Sequence, residues 1–147
     1  MMIGLKKKLK GQLHRFQLTD VWKSGGISEP MKYGILTNEI YKAWSGMKAS
    51  QYKEYKGIRK ESLRDNMSDL EILLTDIGET ATRELAKKYN PQWLIQNKEI
   101  AKRGGSIAKN TRNNLEKELG RSVITKENNI NRRYIENNKN IKQIETK

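Results

Sequence analysis

Ile100-Ala-Lys-Arg-Gly-Gly-Ser-Ile-Ala-Lys-Asn-Thr-Arg112, IAKRGGSIAKNTR, lies inside a helical pattern and carries two adjacent glycines at its centre. Each glycine costs about 1 kcal/mol relative to alanine in a helix interior. Written as one rod, Ala101, Gly104, Gly105 and Ala108 fall at i, i+3, i+4 and i+7. They form a narrow strip of small residues, on a face shared with Leu94, Leu115 and Leu119. Such a strip lets a second helix approach closely, because no side chain keeps the two backbones apart. Lys98, Lys102, Arg103 and Lys109 fall on the opposite side. A phosphate cradle is the weaker reading, since the G-x-x-x-x-G-K-[ST] spacing and a preceding strand are both missing. Helix packing leads, and a break into two shorter helices stays open.

The helix carrying this strip is expected from Pro91 to about Leu119. Asn90 would be its cap, Pro91 its first position and Gly120 its stop. The segment before it, Ser68–Tyr89 (SDLEILLTDIGETATRELAKKY), is the strongest helix in the chain. Ser68-x-x-Glu71 is a capping box. Leu70, Leu73, Leu74, Ile77, Ala81 and Leu85 make one apolar stripe. Glu79 to Arg83 and Glu84 to Lys88 are supporting pairs at i,i+4. Asp69, Glu71, Asp76 and Glu79 are accounted for by capping, pairing or solvation. No histidine joins them, and no carboxylate is expected to be buried, so neither catalysis nor a metal is expected here.

Earlier in the chain, Ile35–Met47 reads as a helix capped by Thr37 or Asn38, with Ile40, Tyr41 and Trp44 on one face and Gly46 ending it. Lys48–Gly57 reads as a second short helix, with Ser50 as cap and Gly57 as stop. The pair has the outline of a helix-turn-helix, although hairpins of this kind are usually packing units. Lys23–Gly34 reads as a loop from its glycines and Pro30, and His14–Trp22 as a strand or short helix. Residues 1–15 read as a frayed end or short helix. The single histidine, His14, has no second histidine or cysteine with which to share a metal. Arg121–Thr125 reads as extended. Beyond it Ile130, Tyr134, Ile141 and Ile144 keep a loose helical period, which fits a docking helix or a frayed tail.

At 147 residues the chain is long enough for one domain with its own core. The absence of cysteine removes disulfides, thiolate zinc sites and cysteine nucleophiles. No apolar run approaches the ~18 residues of a membrane span. The start MMIGLKKKLKG has no apolar stretch after its basic residues and does not read as a signal peptide, so a cytoplasmic protein without a membrane partner is expected. Net charge is +13, from 30 Lys and Arg against 17 Asp and Glu, and points to nucleic acid or another polyanion as partner. The charge is uneven: residues 1–60 carry net +9, 61–90 net −3 and 91–147 net +7.

Several separated motifs carry a family resemblance: Thr37-Asn38-x-Ile40-Tyr41, Leu63-Arg64-Asp65-Asn66-Met67-x-x-Leu70-Glu71, Gly104-Gly105 with Ala108, and Leu115-Glu116-x-x-x-Gly120 with Val123. Over roughly residues 35–128 the chain resembles a module of bacterial and phage proteins of the DNA-damage-inducible protein D-like, or Bro-type phage antirepressor-like, kind. Asn66 stands where that pattern usually has histidine, so any chemistry of that histidine is not expected here. Longer relatives carry an N-terminal Bro-type domain, and this chain begins almost directly at the module. The resemblance implies regulation around phage induction or DNA damage, with no catalytic residues to carry over. Arg64 has two readings, a phosphate contact or a partner for a helix acid, and the second is preferred because the capping box starts just after it.

The expected fold is mainly α: a compact helical domain with a central antiparallel helix pair and at most a small N-terminal sheet. The expected organisation is a basic segment 1–34, the helical module 35–128 and an Asn/Lys-rich tail or helix 129–147. The leading function is a non-enzymatic regulator that binds DNA or a DNA-associated protein. The alternative is a protein-interaction module that binds a repressor without touching nucleic acid. Candidate phosphate contacts are Lys53, Lys56, Arg59 and Lys60 in one group and Lys98, Lys102, Arg103 and Lys109 in another. Tyr52 and Tyr55 are candidates for base stacking or, preferably, for packing. No cofactor or metal is expected, and a homo-oligomer is left open.

Overall fold

The computed structural model describes residues 17–129. The expectations for residues 1–15, His14 included, and for Ile130, Tyr134, Ile141 and Ile144 lie outside the described residues. Within them five helices follow one another: α1 (residues 17–24), α2 (Pro30–Ser45), α3 (Ala49–Tyr55), α4 (Asp69–Tyr89) and α5 (Trp93–Leu119). A 3-10 turn, Arg64–Asn66, precedes α4. Among the described residues there is no strand, so the fold is all-helical.

Close approach of α4 and α5 fixes the centre, and the glycine strip makes it possible. Helix α5 runs unbroken through Gly104 and Gly105, and Ala101, Gly104, Gly105 and Ala108 are all buried. A Cβ on Gly104 would lie 2.7 Å from the Thr82 backbone nitrogen, and one on Gly105 would lie 2.8 Å from the Ile40 carbonyl oxygen. Real Cβ atoms do not come that near backbone. The two glycines therefore seat α5 against α4 on one side and α2 on the other. Gly78 of α4 packs in the same layer, beside Ile40 and Ala108. With Thr82 opposite Gly104 and Gly78 opposite Gly105–Ala108, α4 and α5 are antiparallel. Helix α2 runs parallel to α5: Glu39 is level with Lys98, Ile40 with Gly105, and Trp44 with Arg112.

This packing turns α4 away from its expected orientation. Its buried residues are Glu71, Leu74, Thr75, Gly78, Glu79, Thr82 and Ala86. That face is rotated by roughly 100° from the apolar stripe, at 3.6 residues per turn. Leu74 alone of the stripe is fully buried, Leu70 and Ile77 edge the core, and Leu73 is 46 % exposed. Helices can touch this closely only where both are small, so the small face wins over the oily one. Thr75 and Thr82 bury at little cost because each hydroxyl donates to its own helix, to the Glu71 and Gly78 carbonyls at 2.9 and 2.7 Å.

Helix boundaries shift in three places. Helix α2 begins at Pro30, whose fixed φ suits a first turn, so the boundary expected at Ile35 falls inside it. Asn38 caps the next helix instead of its own: its Oδ1 accepts the Ala49 N–H at 2.9 Å. Lys48, not Ser50, is the N-cap of α3, with Gln51 accepting the Lys48 N–H. Asn90 closes α4 in a left-handed conformation instead of opening α5. Gly46, Gly120 and the Ser68–Glu71 capping box stand where expected. Glu84 pairs with Arg83 and Lys87, not with Lys88.

The N-terminal helix belongs to the core. Leu18, Trp22 and Ile27 are buried, and Trp22 stacks on Tyr33 at 5.8 Å. At the other end, residues 121–129 form a strap. Val123 and Ile124 are buried, and Glu116 accepts both the Val123 N–H at 2.9 Å and the Arg112 Nε at 3.1 Å. Burial alone would raise the Glu116 pKa; these donors outweigh it and hold the carboxyl below its ordinary range. Arg112 also reaches the Trp44 and Ser45 carbonyls at the C-terminal end of α2, where a cation is favoured.

Candidate nucleic-acid interface

The first basic group is split by the fold. Lys53 and Arg59 line a groove of about 790 Å3 beside α3, together with Ser50, Glu54 and Ile58. Lys60 is exposed on the loop that follows. Lys56 is not a phosphate contact. Its side chain is fully buried and its ammonium is 2.9 Å from Glu71, 2.8 Å from the Thr125 carbonyl and 2.7 Å from the Glu127 carbonyl. All three of its donors are accepted inside the protein.

Glu71 corrects a second expectation, that no carboxylate is buried. It is completely inaccessible, and Glu79 nearly so. The Ser68 N–H donates to Glu71 as the capping box requires, and the Tyr52 hydroxyl and Lys56 ammonium donate to it as well. Burial, then the neighbouring Glu71 charge, push the Tyr52 phenol well above its ordinary pKa. Tyr52 packs edge-on to Trp44 at 5.9 Å, so the packing reading holds for it and base stacking does not. The preferred reading of Arg64 holds too: it pairs with Asp76 of α4.

Contrary to expectation, the second basic group does not share one exposed side of α5: Lys102 and Arg103 are exposed, whereas Lys98 is half-buried and turned toward α2. Lys98 and Lys102 line a groove of about 420 Å3 with Ile95, Gln96 and Glu99. Lys98 is also 3.8 Å from the buried Glu39, which Lys42 approaches to 3.6 Å. Lys109 is half-buried. Arg103 turns toward the end of α4, with its guanidinium 4.8 Å from the Tyr89 ring centroid; Lys88 is 5.1 Å from the same ring. Hydrogen bonding from Arg103, then the charge of Lys88, lower the Tyr89 pKa.

Three surface features are not legible in the sequence. Tyr55 is 40 % exposed with the Lys126 ammonium 5.5 Å from its ring, a pairing across 71 residues that no local pattern signals. Tyr89 reads in sequence only as the last residue of its helix. Trp93 is hidden by the expectation that α5 starts at Pro91; it is 69 % exposed and holds a left-handed backbone with φ of 66°. Among the described residues no three of His, Asp and Glu group so as to hold a metal ion, and no helix is long and apolar enough to cross a membrane.

No family model, curated protein or solved structure matches the chain.

Proposed function

We propose that this protein is a non-enzymatic regulator of the DNA-damage or phage-induction type, working in the cytoplasm by binding DNA or a DNA-associated protein, with nucleic acid as the leading partner. The nucleic-acid partner is supported by the pairing of a +13 net charge with seven of the eight candidate cations lying outside the core, four of them along grooves, and the regulatory setting by the motif resemblance over residues 35–128 alone. Cations so placed release counterions when they meet phosphates, giving affinity that falls steeply with salt. The test is binding of labelled single- and double-stranded DNA by anisotropy across a salt series. Lys102→Glu with Arg103→Glu is expected to abolish binding that is tight and salt-steep in the parent. Absence of binding even at low salt sinks the reading.

A repressor-type protein partner is the second reading. Its support is Leu73, the exposed member of the α4 stripe at 46 %, together with Ile107 and Leu119 of α5, 44 % and 46 % exposed. An apolar contact of that kind tolerates both salt and the Lys102/Arg103 reversal. Leu73→Glu would break it instead.

A further inference from the structure

Trp93 is held on the surface against its own backbone preference. A bulky side chain in the left-handed region is strained, and such strain is kept only where the surroundings enforce it. Here they do. The Trp93 N–H donates to the Gly25 carbonyl at 2.7 Å, and its carbonyl accepts from the Asn97 amide at 2.8 Å. Its ring lies where a Cβ on Gly26 would stand, 2.7 Å from the nearest ring carbons. The result is an indole fixed at one edge yet open to solvent over most of its surface. The other two tryptophans, Trp22 and Trp44, are wholly buried.

The surroundings are basic. Four residues before Trp93, across the Asn90–Pro91 turn, Tyr89 is 48 % exposed beneath Arg103 and Lys88. Lys102, next to Arg103, is exposed on α5 as well. From Trp93 to Arg103 is roughly 15 Å along α5, at 1.5 Å per residue. Held aromatic faces among cations fit unpaired bases joined by phosphates: stacking takes any base, and the cations follow the backbone. A duplex keeps its bases stacked on one another and offers these rings nothing but its outer edge.

We propose that the corner where α4 passes into α5 binds single-stranded nucleic acid, with Trp93 and Tyr89 as stacking platforms and Lys88, Lys102 and Arg103 meeting the phosphates. This rests on the nucleic-acid reading and specifies it. The experiment is a fluorescence and anisotropy titration of the full chain with a single-stranded oligonucleotide and with a hairpin duplex of the same length. Since Trp22 and Trp44 are shielded, solvent-sensitive quenching reports on Trp93. The single strand is expected to quench it and the duplex not. Trp93→Ala and Tyr89→Ala are each expected to weaken single-strand binding about tenfold while leaving duplex binding unchanged. Trp93→Phe and Tyr89→Phe, which keep an aromatic face, are expected to retain most of it. Single-strand binding that neither quenches Trp93 nor responds to the alanine variants overturns the inference and leaves the nucleic-acid reading standing. Equal losses on single strand and duplex also overturn it. Failure of the parent to bind any nucleic acid at low salt overturns both.

Discussion

Lys56 shows how one residue can look like a surface contact and be a structural keystone. In sequence it is one of four bases within eight positions. In the fold it neutralises Glu71, and together with Tyr52 and the Thr125 and Glu127 carbonyls it ties α3, α4 and the C-terminal strap at one point. Removing one partner of a buried ion pair leaves the other charge uncompensated, which costs about 3–5 kcal/mol. Lys56→Met and Glu71→Leu are each expected to lose about that much in urea unfolding. The double variant is expected to lose clearly less than the two added together, because it leaves no orphaned charge. Tyr52 adds a pH signature. Its folded pKa is raised above the ordinary phenol value of about 10, so the folded state holds that proton more tightly than the unfolded chain. The associated stability is complete below about pH 10 and falls as the pH rises further. The urea midpoint should drop more steeply above about pH 10 in the parent than in Tyr52→Phe.

At the scale of elements, glycines separate helix propensity from packing. Gly34 sits inside α2, and a methyl added there would have nothing within 4 Å. Gly34→Ala is therefore expected to raise stability by up to about 1 kcal/mol, the propensity difference alone. Gly104→Ala gains the same propensity but drives its methyl into the Thr82 backbone, 2.7 Å from nitrogen and 2.8 Å from Cα. Overpacking of that kind costs about 1–3 kcal/mol, so net destabilisation is expected, with loss of α4–α5 contact. Thermal unfolding of the two variants side by side checks both signs. Helix α4 makes the same point about orientation: its small residues Gly78 and Thr82, not its leucines, choose the face that meets α5.

For the whole molecule the dominant quantity is charge. A net +13 on 147 residues repels itself, so added salt should raise the melting temperature of the free protein. The same salt should weaken DNA binding, with a slope of log affinity against log salt of about −0.9 for each duplex phosphate neutralised. Opposite responses to one variable separate general charge from a binding surface. Lys53→Glu with Arg59→Glu is expected to reduce that slope without lowering stability, and Lys98→Gln with Lys102→Gln to reduce it while giving up only the Lys98 contact with Glu39. Whichever pair removes more of the slope identifies the groove that carries the contact.

Local chemistry was enough for much of this protein. Ser68 and Glu71 declare a helix start, Gly46 and Gly120 declare helix ends, and the Ala101–Gly104–Gly105–Ala108 spacing declares a close helix contact. Each depends on atoms a few residues apart, so sequence alone determined the helical class and the antiparallel pair. Facing and burial were decided only by the tertiary structure. Which side of α4 turns inward depends on how near α5 can come, and that is set by Gly104 meeting Thr82 across 22 positions. Lys56 is buried because strap carbonyls about 70 residues later accept its protons. Trp93 is exposed because a loop near residue 25 holds its backbone in a conformation that tryptophan rarely adopts. A side chain's composition gives its chemistry, but its solvent access depends on partners brought from elsewhere in the chain.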